Sequence, residues 1–413
     1  MTYKIVTLGC KLNFAESSAL GKVLLEHGHT KAKVGEQADV VIVNTCSVTD
    51  TADQKDRQAI HRLKRENPKA RIIVTGCYAA LQPQQIASMM EVSHVIPKDL
   101  NTFHPAYSRD DRTRCFLKIQ DGCNYFCTYC TIPLARGRSR NGSIASIVAQ
   151  AKEALSQGAK EIVLTGVNIG DFGRSTNETF LDLLKQLDQL STTAEGATTL
   201  NSTLYTLNYR IRISSCEPNL LTDEIIEFVA KSKHFAPHFH IPLQSGSDEM
   251  LKIMHRHYDT ALFTERIEHI RKVMPNAFIG VDCMVGVRGE TQERWDEYVN
   301  YISALPVSQL HVFTYSERAN TRMLTMDLPV IPMTERHRRS EVLHQISDQK
   351  LQAFYAANKG QTATVLWEGK RVNPTPLPPY PSTPIMYGFT ENYIKVSRPY
   401  DKTKVNTFET ITL

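Results

Sequence analysis

Short runs of Val, Ile and Leu alternate with amphipathic stretches along most of this chain, and that alternation most limits what it can fold into. Lys4–Gly9, Ala38–Thr45 and Arg71–Gly76 are strand candidates. Between them lie Glu16–His27, with apolar Ala19, Leu20, Val23 and Leu24 at helical spacing and Gly28 as a C-cap, and a polar, basic helix over Thr49–Asn67 stopped by Pro68. Strands joined through helices build βαβ units and a parallel sheet. From about 112 to 316 the alternation supplies six more strand candidates: Phe116–Gln120, Glu161–Gly166, Arg210–Ser215, His238–Leu243, Phe278–Val285 and Leu310–Tyr315. Ile144–Leu155, Phe180–Leu190, Asp223–Lys231, Leu262–Met274 and Gln292–Leu305 are the helices between them. Six βα units in one run predict a partial barrel in preference to an open sheet.

After a helix over Glu335–Ala357 the character changes. Thr362–Trp367, Tyr393–Ser397 and Phe408–Leu413 are short β-prone runs around a Pro-rich stretch, Pro374–Pro384, and predict a small all-β module. Ser191–Leu207, rich in Ser, Thr and Asn, reads as a surface insertion. The expected class is α/β in three parts: an N-terminal parallel domain over 1–111, a partial (β/α)6 barrel over 112–345, and the end of the linking helix with a small β-barrel over 346–413.

No apolar run approaches the ~20 residues that span a bilayer, and the N-terminus lacks a basic region followed by an apolar stretch. No membrane association and a cytoplasmic location are therefore expected. The net charge of +5 permits an RNA partner without demanding one. Nine cysteines without an export signal point to metal ligation more than to disulfides.

The cysteines fall into two patterned sets. Cys123-Asn-Tyr-Phe-Cys127-Thr-Tyr-Cys130 groups three thiols within eight residues. A zinc knuckle needs a fourth ligand, and no histidine lies between His104 and His234. Three thiolates suit a [4Fe–4S] cluster with one iron open to a substrate or cofactor. Cys10, Cys46 and Cys77 each end a β-run, 36 and 31 residues apart, about one βαβ unit each. Parallel strands bring their C-terminal ends to one edge, so these thiols converge where doubly wound sheets bind ligands, and a second cluster is expected there. Cys115, Cys216 and Cys283 lack such spacing and read as core or lining thiols.

The Cys123–Cys130 loop resembles that of the radical S-adenosylmethionine (SAM) superfamily. There the open iron chelates the methionine part of SAM, and the aromatic residue before the last cysteine, here Tyr129, packs near the adenine. Both triads together resemble the methylthiotransferases over essentially the whole chain. The likeness runs through Thr7-Leu-Gly-Cys-Lys-Leu-Asn13, Asn44-Thr-Cys-Ser-Val-Thr49, Thr75-Gly-Cys-Tyr78, Gln120 to Arg140, His240-Ile-Pro-Leu-Gln-Ser-Gly-Ser-Asp248 and Gly388-Phe-Thr-Glu-Asn-Tyr-Ile-Lys-Val396. It implies two [4Fe–4S] clusters, one SAM cleaved to a 5′-deoxyadenosyl radical and another donating methyl, and a C-terminal RNA-gripping TRAM domain. Gly-Cys-Lys-Leu-Asn and Cys-Ser-Val-Thr are similar to the branch that methylthiolates C2 of N6-threonylcarbamoyladenosine beside the tRNA anticodon. The chain departs from the family at Val287-Arg288, in the Pro-rich insertion, and in the modest basicity of its tail.

The resemblance also implies a tRNA substrate, an electron-donor protein and a sulfur source. Gly166 and Asn168, in the turn after the second barrel strand, are candidates to bind SAM, as are Ser215 and Glu217 after the third; Asp282 is a candidate lining group. Arg136, Arg138 and Arg140, at spacing two, are expected to share one side of an extended segment and meet RNA phosphate. Competing readings are methylthiolation of a ribosomal-protein aspartate and a non-catalytic iron–sulfur protein that binds RNA or senses redox state.

Overall fold

The computed structural model describes residues 1–108, 113–190, 208–369 and 384–413. The expected insertion at Ser191–Leu207 and nearly all of Pro374–Pro384 lie outside the described residues.

The N-terminal part is a five-stranded parallel sheet in the order β2-β1-β3-β4-β5. Its strands are β1 (Thr2–Thr7), β2 (Thr30–Lys31), β3 (Val40–Thr45), β4 (Arg71–Gly76) and β5 (Val92–Val95), with α1 (Lys11–Glu26), α2 (Asp50–Glu66), α3 (Cys77–Leu81) and α4 (Pro83–Ala87) between them. Strand β3 is buried along its whole length, as a central parallel strand should be. Helix α1 begins five residues before the expected start, because Cys10 already serves as its N-cap. Thr49 caps α2 by accepting from Ala52 N–H.

The barrel comprises β7 (Cys115–Lys118), β10 (Glu161–Thr165), β11 (Arg210–Ile213), β12 (His238–Gln244), β13 (Phe278–Val285) and β14 (Gln309–Thr314), all parallel. The short β6 (Ala106–Tyr107) flanks β7 antiparallel, and β8 (Gln120–Asp121) pairs with β9 (Arg140–Asn141). Isolated bridges Ile211↔Phe235 and Ser215↔His240 join β11 to the β12 side, giving six strands in a partial barrel. Helices α5 (Ile132–Arg136), α6 (Ile144–Ser156), α7 (Phe180–Asp188), α8 (Asp223–Lys231), α9 (Asp248–Ile253), α10 (Thr260–Val273) and α11 (Gln292–Ala304) follow in turn.

Alternation along the strands decides what faces inward. Cys115 and Leu117 on β7, with Ile162 and Leu164 on β10, join the main core under the outer helices. Phe116 and Val163 face the other way and meet Ala15 and Phe14 of α1. Helix α1 thus lies against the inner face of the open barrel. Cys115, Cys216 and Cys283 are buried in the main core, as ordinary packing thiols.

Helix α12 (Met333–Asn358) runs unbroken and packs on β14, where Ser347 Oγ bonds both Leu310 N–H (3.1 Å) and its carbonyl (3.0 Å). A division at 345/346 therefore falls inside a barrel helix. The tail forms a four-stranded antiparallel sheet, β17-β16-β15-β18, from β15 (Thr362–Trp367), β16 (Ile385–Phe389), β17 (Lys395–Pro399) and β18 (Phe408–Thr412). Arg210 and Arg212, at the N-terminal ends of the barrel strands, dock it. Arg210 donates to the carbonyls of Thr364 and Phe389 (both 3.0 Å), and Arg212 to those of Glu391 (3.0 Å) and Thr390 (3.2 Å). Glu161 lies between the two guanidiniums.

Candidate functional site

Cys10, Cys46 and Cys77 follow β1, β3 and β4, three neighbouring strands, at one edge of the N-terminal sheet. The close approach depends on glycine. Gly9 has φ +105°, and a Cβ there would stand 2.6 Å from Cys46 Cβ and 2.9 Å from its Sγ. Asn13 ties the strand ends together: its amide donates to the carbonyls of Leu8 and Thr45 (both 2.9 Å), and its Oδ1 accepts from Cys10 Sγ (3.7 Å). Asp56 accepts the Cys46 backbone N–H at 2.9 Å. Burial pushes the Cys46 thiol up to about 12 and raises that of Cys77. A metal that binds here must displace those protons, so ligation would release protons.

The second triad lies on the loop from β8 to α5. Gly122 (φ +70°) lets the loop cross beneath Arg138, whose carbonyl would be 2.0 Å from a Cβ. Backbone N–H groups of Tyr125 and Ile132 donate to the sulfurs of Cys123 and Cys130, each at 3.4 Å. Arg256 Nη1 donates to Cys127 Sγ at 2.9 Å while its other branch is ion-paired to Glu217. Burial raises all three thiols, Cys123 to about 11 and Cys130 to about 12. Within each triad the thiols feel one another's charge. Among the described residues, no three His, Cys, Asp or Glu side chains close on a single ion. Three clustered thiols at each place are the donor set that a [4Fe–4S] cluster takes with one iron left open.

Around this loop the candidate SAM contacts separate. Gly166 has no room for a side chain, since a Cβ would lie 2.9 Å from both the carbonyl and Oε1 of Gln120. That Oε1 accepts the N–H groups of Val167 and Asn168, both at 2.9 Å, so the backbone of this turn is already engaged. The Asn168 side chain is 3% exposed, and neither of its amide atoms has a partner, the neighbouring Tyr125 hydroxyl being bonded to Asn219. Gln244 Oε1, on the last residue of β12, and Ser247 Oγ, just past it, are likewise buried without partners. A buried polar group left unmatched costs free energy, so these atoms suit a polar ligand. Ser215 is half-buried at the end of the third strand. Tyr129 packs against Met250, Met254, Val287, Tyr315 and Met323, an apolar wall beside the thiols. The unusual Val287-Arg288 pair thus contributes to that wall, with Arg288 turned toward Glu317. Asp282 accepts from His240 Nε2 at 2.6 Å within the barrel.

The arginine expectation is corrected. Arg136 ends helix α5, so the three do not lie on one extended strand. It is 2% exposed, with Nη1 at 3.0 Å from both Glu16 and Asp121 and Nη2 at 2.6 Å from Asn13 Oδ1. Arg140 is 8% exposed and spent on the carbonyls of Thr102, Arg136, Arg138 and Asp99 and on Asp121. Burial and full hydrogen bonding leave neither for phosphate; only Arg138 is exposed, over the Phe126 ring at 4.4 Å.

Arg136 instead joins the halves of the site, since Glu16 and Asn13 belong to α1 and Asp121 to the barrel. Burial opposes the charge on Glu16, but Arg136, Lys98 and Lys118 hold it well below the usual carboxylate range. Arg318 makes a second clamp, donating to Ser47 Oγ (2.7 Å) and Asp53 (2.8 Å) beside Cys46. Arg256 and Arg318 were not singled out from sequence, because nothing local distinguishes them; Gln120 and Asn13 lay within the motifs but were given no role there.

Residues 2–97 match the model of uncharacterized protein family UPF0004, and residues 117–302 that of the radical SAM superfamily. The chain is 34% identical to the threonylcarbamoyladenosine tRNA methylthiotransferase MtaB of Bacillus subtilis, over 94% of this chain and 88% of that one. It is 31% identical to MtaB of Aquifex aeolicus over 95% of each. A tRNA-2-methylthio-N(6)-dimethylallyladenosine synthase of Clostridium botulinum is 31% identical, over 89% and 86%. The radical SAM methyltransferase TsrM of Kitasatospora setae shares the fold at TM-score 0.56 and 14% identity, covering 83% of this chain and 84% of that one. With two cysteine triads on the matching folds and relatives at this identity over nearly all its length, the chain belongs to the radical SAM methylthiotransferase family.

Proposed function

We propose that this protein replaces the C2–H of N6-threonylcarbamoyladenosine in tRNA with a methylthio group. The observation that carries the reading is two thiol triads held in one rigid frame, one on the N-terminal sheet and one at the barrel, linked through Asn13 and Arg136. When bound, iron–sulfur clusters at these triads supply the electron that cleaves SAM and the sulfur that is transferred. The chain's own residues do the positioning. Arg256 orients Cys127, Gln120 braces both the start of the thiol loop at Gly122 and the 166–168 turn, and the unpartnered Asn168 amide and Gln244 Oε1 are available to SAM. Tyr129 and its methionine wall keep water from the reacting centre.

An electron-donor protein and a sulfur source complete the reaction, and the site of action is the cytoplasm, where tRNA is modified. No described helix is long and apolar enough to cross a membrane. The test supplies reduced, reconstituted enzyme with SAM, sulfide and tRNA carrying or lacking the threonylcarbamoyl group. Mass spectrometry should find 2-methylthio product on the carrying tRNA alone. Product on dimethylallyl-modified tRNA instead, or only on a ribosomal protein, would replace this reading.

A further inference from the structure

The segment that leaves the last barrel strand meets both thiol triads in turn. Strand β14 ends at Thr314, and Ser316 Oγ just beyond it accepts the backbone N–H of Asp50 at 3.2 Å. Arg318, 5% exposed, reaches the loop that follows Cys46. Its Nη2 donates to Ser47 Oγ at 2.7 Å and to Asp53 at 2.8 Å, and its Nη1 is ion-paired to Asp50. Ser47, buried directly after Cys46, donates its own hydroxyl to Asp53 at 2.6 Å.

A few residues later the same segment holds the other triad. Asn320 takes the left-handed conformation (φ +64°), and the Thr321 hydroxyl closes the turn on the Arg318 carbonyl at 2.7 Å. Met323, fully buried, donates its backbone N–H to the Thr128 carbonyl at 2.7 Å. Thr128 stands between Cys127 and Cys130. It is braced from behind, its N–H on the Met254 carbonyl at 3.2 Å and its hydroxyl on that of Ile253 at 2.9 Å. One short stretch, 316–323, is thus bonded to a triad loop at each end and closed in the middle.

A guanidinium shared among three oxygens fixes direction as well as distance, and once buried it resists any slip that leaves a charge unmatched. Arg136 joins the triads on the α1 side, and this second link on the β14 side opposes rotation about the first. In the reading above SAM is cleaved at one triad and the sulfur comes from the other, so one base must meet both. A misplacement of about 1 Å can cost on the order of 100-fold in such a step.

Resting on that reading, we propose that residues 316–323 set the spacing of the two triads, and that Arg318 is a positioning residue for sulfur transfer and not for SAM cleavage.

The test uses full-length reconstituted enzyme, SAM, sulfide and tRNA carrying the threonylcarbamoyl group. Wild type, Arg318→Met, Arg318→Lys and Thr321→Val are compared for 5′-deoxyadenosine, methylthio product, iron content, and hydrogen–deuterium exchange over residues 46–53. In Arg318→Met the product formed per 5′-deoxyadenosine should fall by roughly 10- to 100-fold, with iron and SAM cleavage retained. Exchange should quicken over 46–53 and not over β10 to β13. Arg318→Lys should recover part of the ratio, because an ammonium can pair with Asp53 but cannot serve three oxygens from one plane. Thr321→Val, which only opens the turn, should shift the ratio the same way by a smaller factor. An unchanged ratio in either Arg318→Met or Thr321→Val, unchanged exchange over 46–53, or loss of half the iron overturns the proposal alone. Wild-type enzyme that cleaves SAM but leaves the threonylcarbamoyl tRNA unmodified overturns the functional reading, and the proposal with it.

Discussion

Each cysteine triad has its own hydrogen-bonding environment, and so each can be removed separately. Replacing Cys123, Cys127 and Cys130 together by Ala should remove about half of the reconstituted iron and abolish 5′-deoxyadenosine formation. Replacing Cys10, Cys46 and Cys77 should also remove about half, yet leave SAM cleavage at least partly intact while eliminating thiolated product. Iron assay and product chromatography check both. Arg256 gives a finer test, since its guanidinium donates directly to Cys127 Sγ. Hydrogen bonds to cluster sulfurs raise the reduction potential. Arg256→Met should therefore shift the potential of that cluster downward with iron retained; spectroelectrochemical titration reads the shift. Arg256→Lys should restore little, because a lysine cannot serve Cys127 and Glu217 from one planar fork.

Among the elements, the N-terminal ends of β10 and β11 carry a buried carboxylate between two buried arginines. Burial opposes ionisation of Glu161, but Arg212 and Arg210 hold it at about 2, below its ordinary 4.5. A depressed carboxylate stabilises the fold above its unfolded value, and that contribution is lost as pH falls from 4.5 through about 2. Glu161→Gln leaves two guanidiniums buried without their counter-charge, and should cost about 3 kcal/mol at pH 7. The gap between variant and wild type should close as pH falls through that window, as read by denaturant titration across pH. The elements themselves were largely legible: β4, β13, α8 and β15 run as expected from residue pattern. Strands β2, β5, β6 and β16 were not, because two are only two residues long and the others lack a β-branched run of their own.

At the level of the whole molecule, the C-terminal sheet is not a detachable appendage. Its carbonyls complete Arg210 and Arg212, and Ile394 packs with Phe278 and Phe354 of the barrel and α12. Deleting residues 360–413 should therefore lower the Tm of the barrel as well as raise the KM for tRNA, and calorimetry would separate the two effects. If phosphate contacts hold the tRNA, log K should fall linearly with log salt; a flat salt response would count against RNA binding through the phosphate backbone.

By itself the sequence determined the parallel α/β class, the βα repeat of the barrel, and which six cysteines form two sets. Those follow from periodicity and from thiol spacing, both local along the chain. Only the tertiary structure decided the partners of the charged side chains. Arg136, Arg138 and Arg140 look alike at spacing two, yet Glu16, more than a hundred residues away, buries the first, and loop carbonyls consume the third.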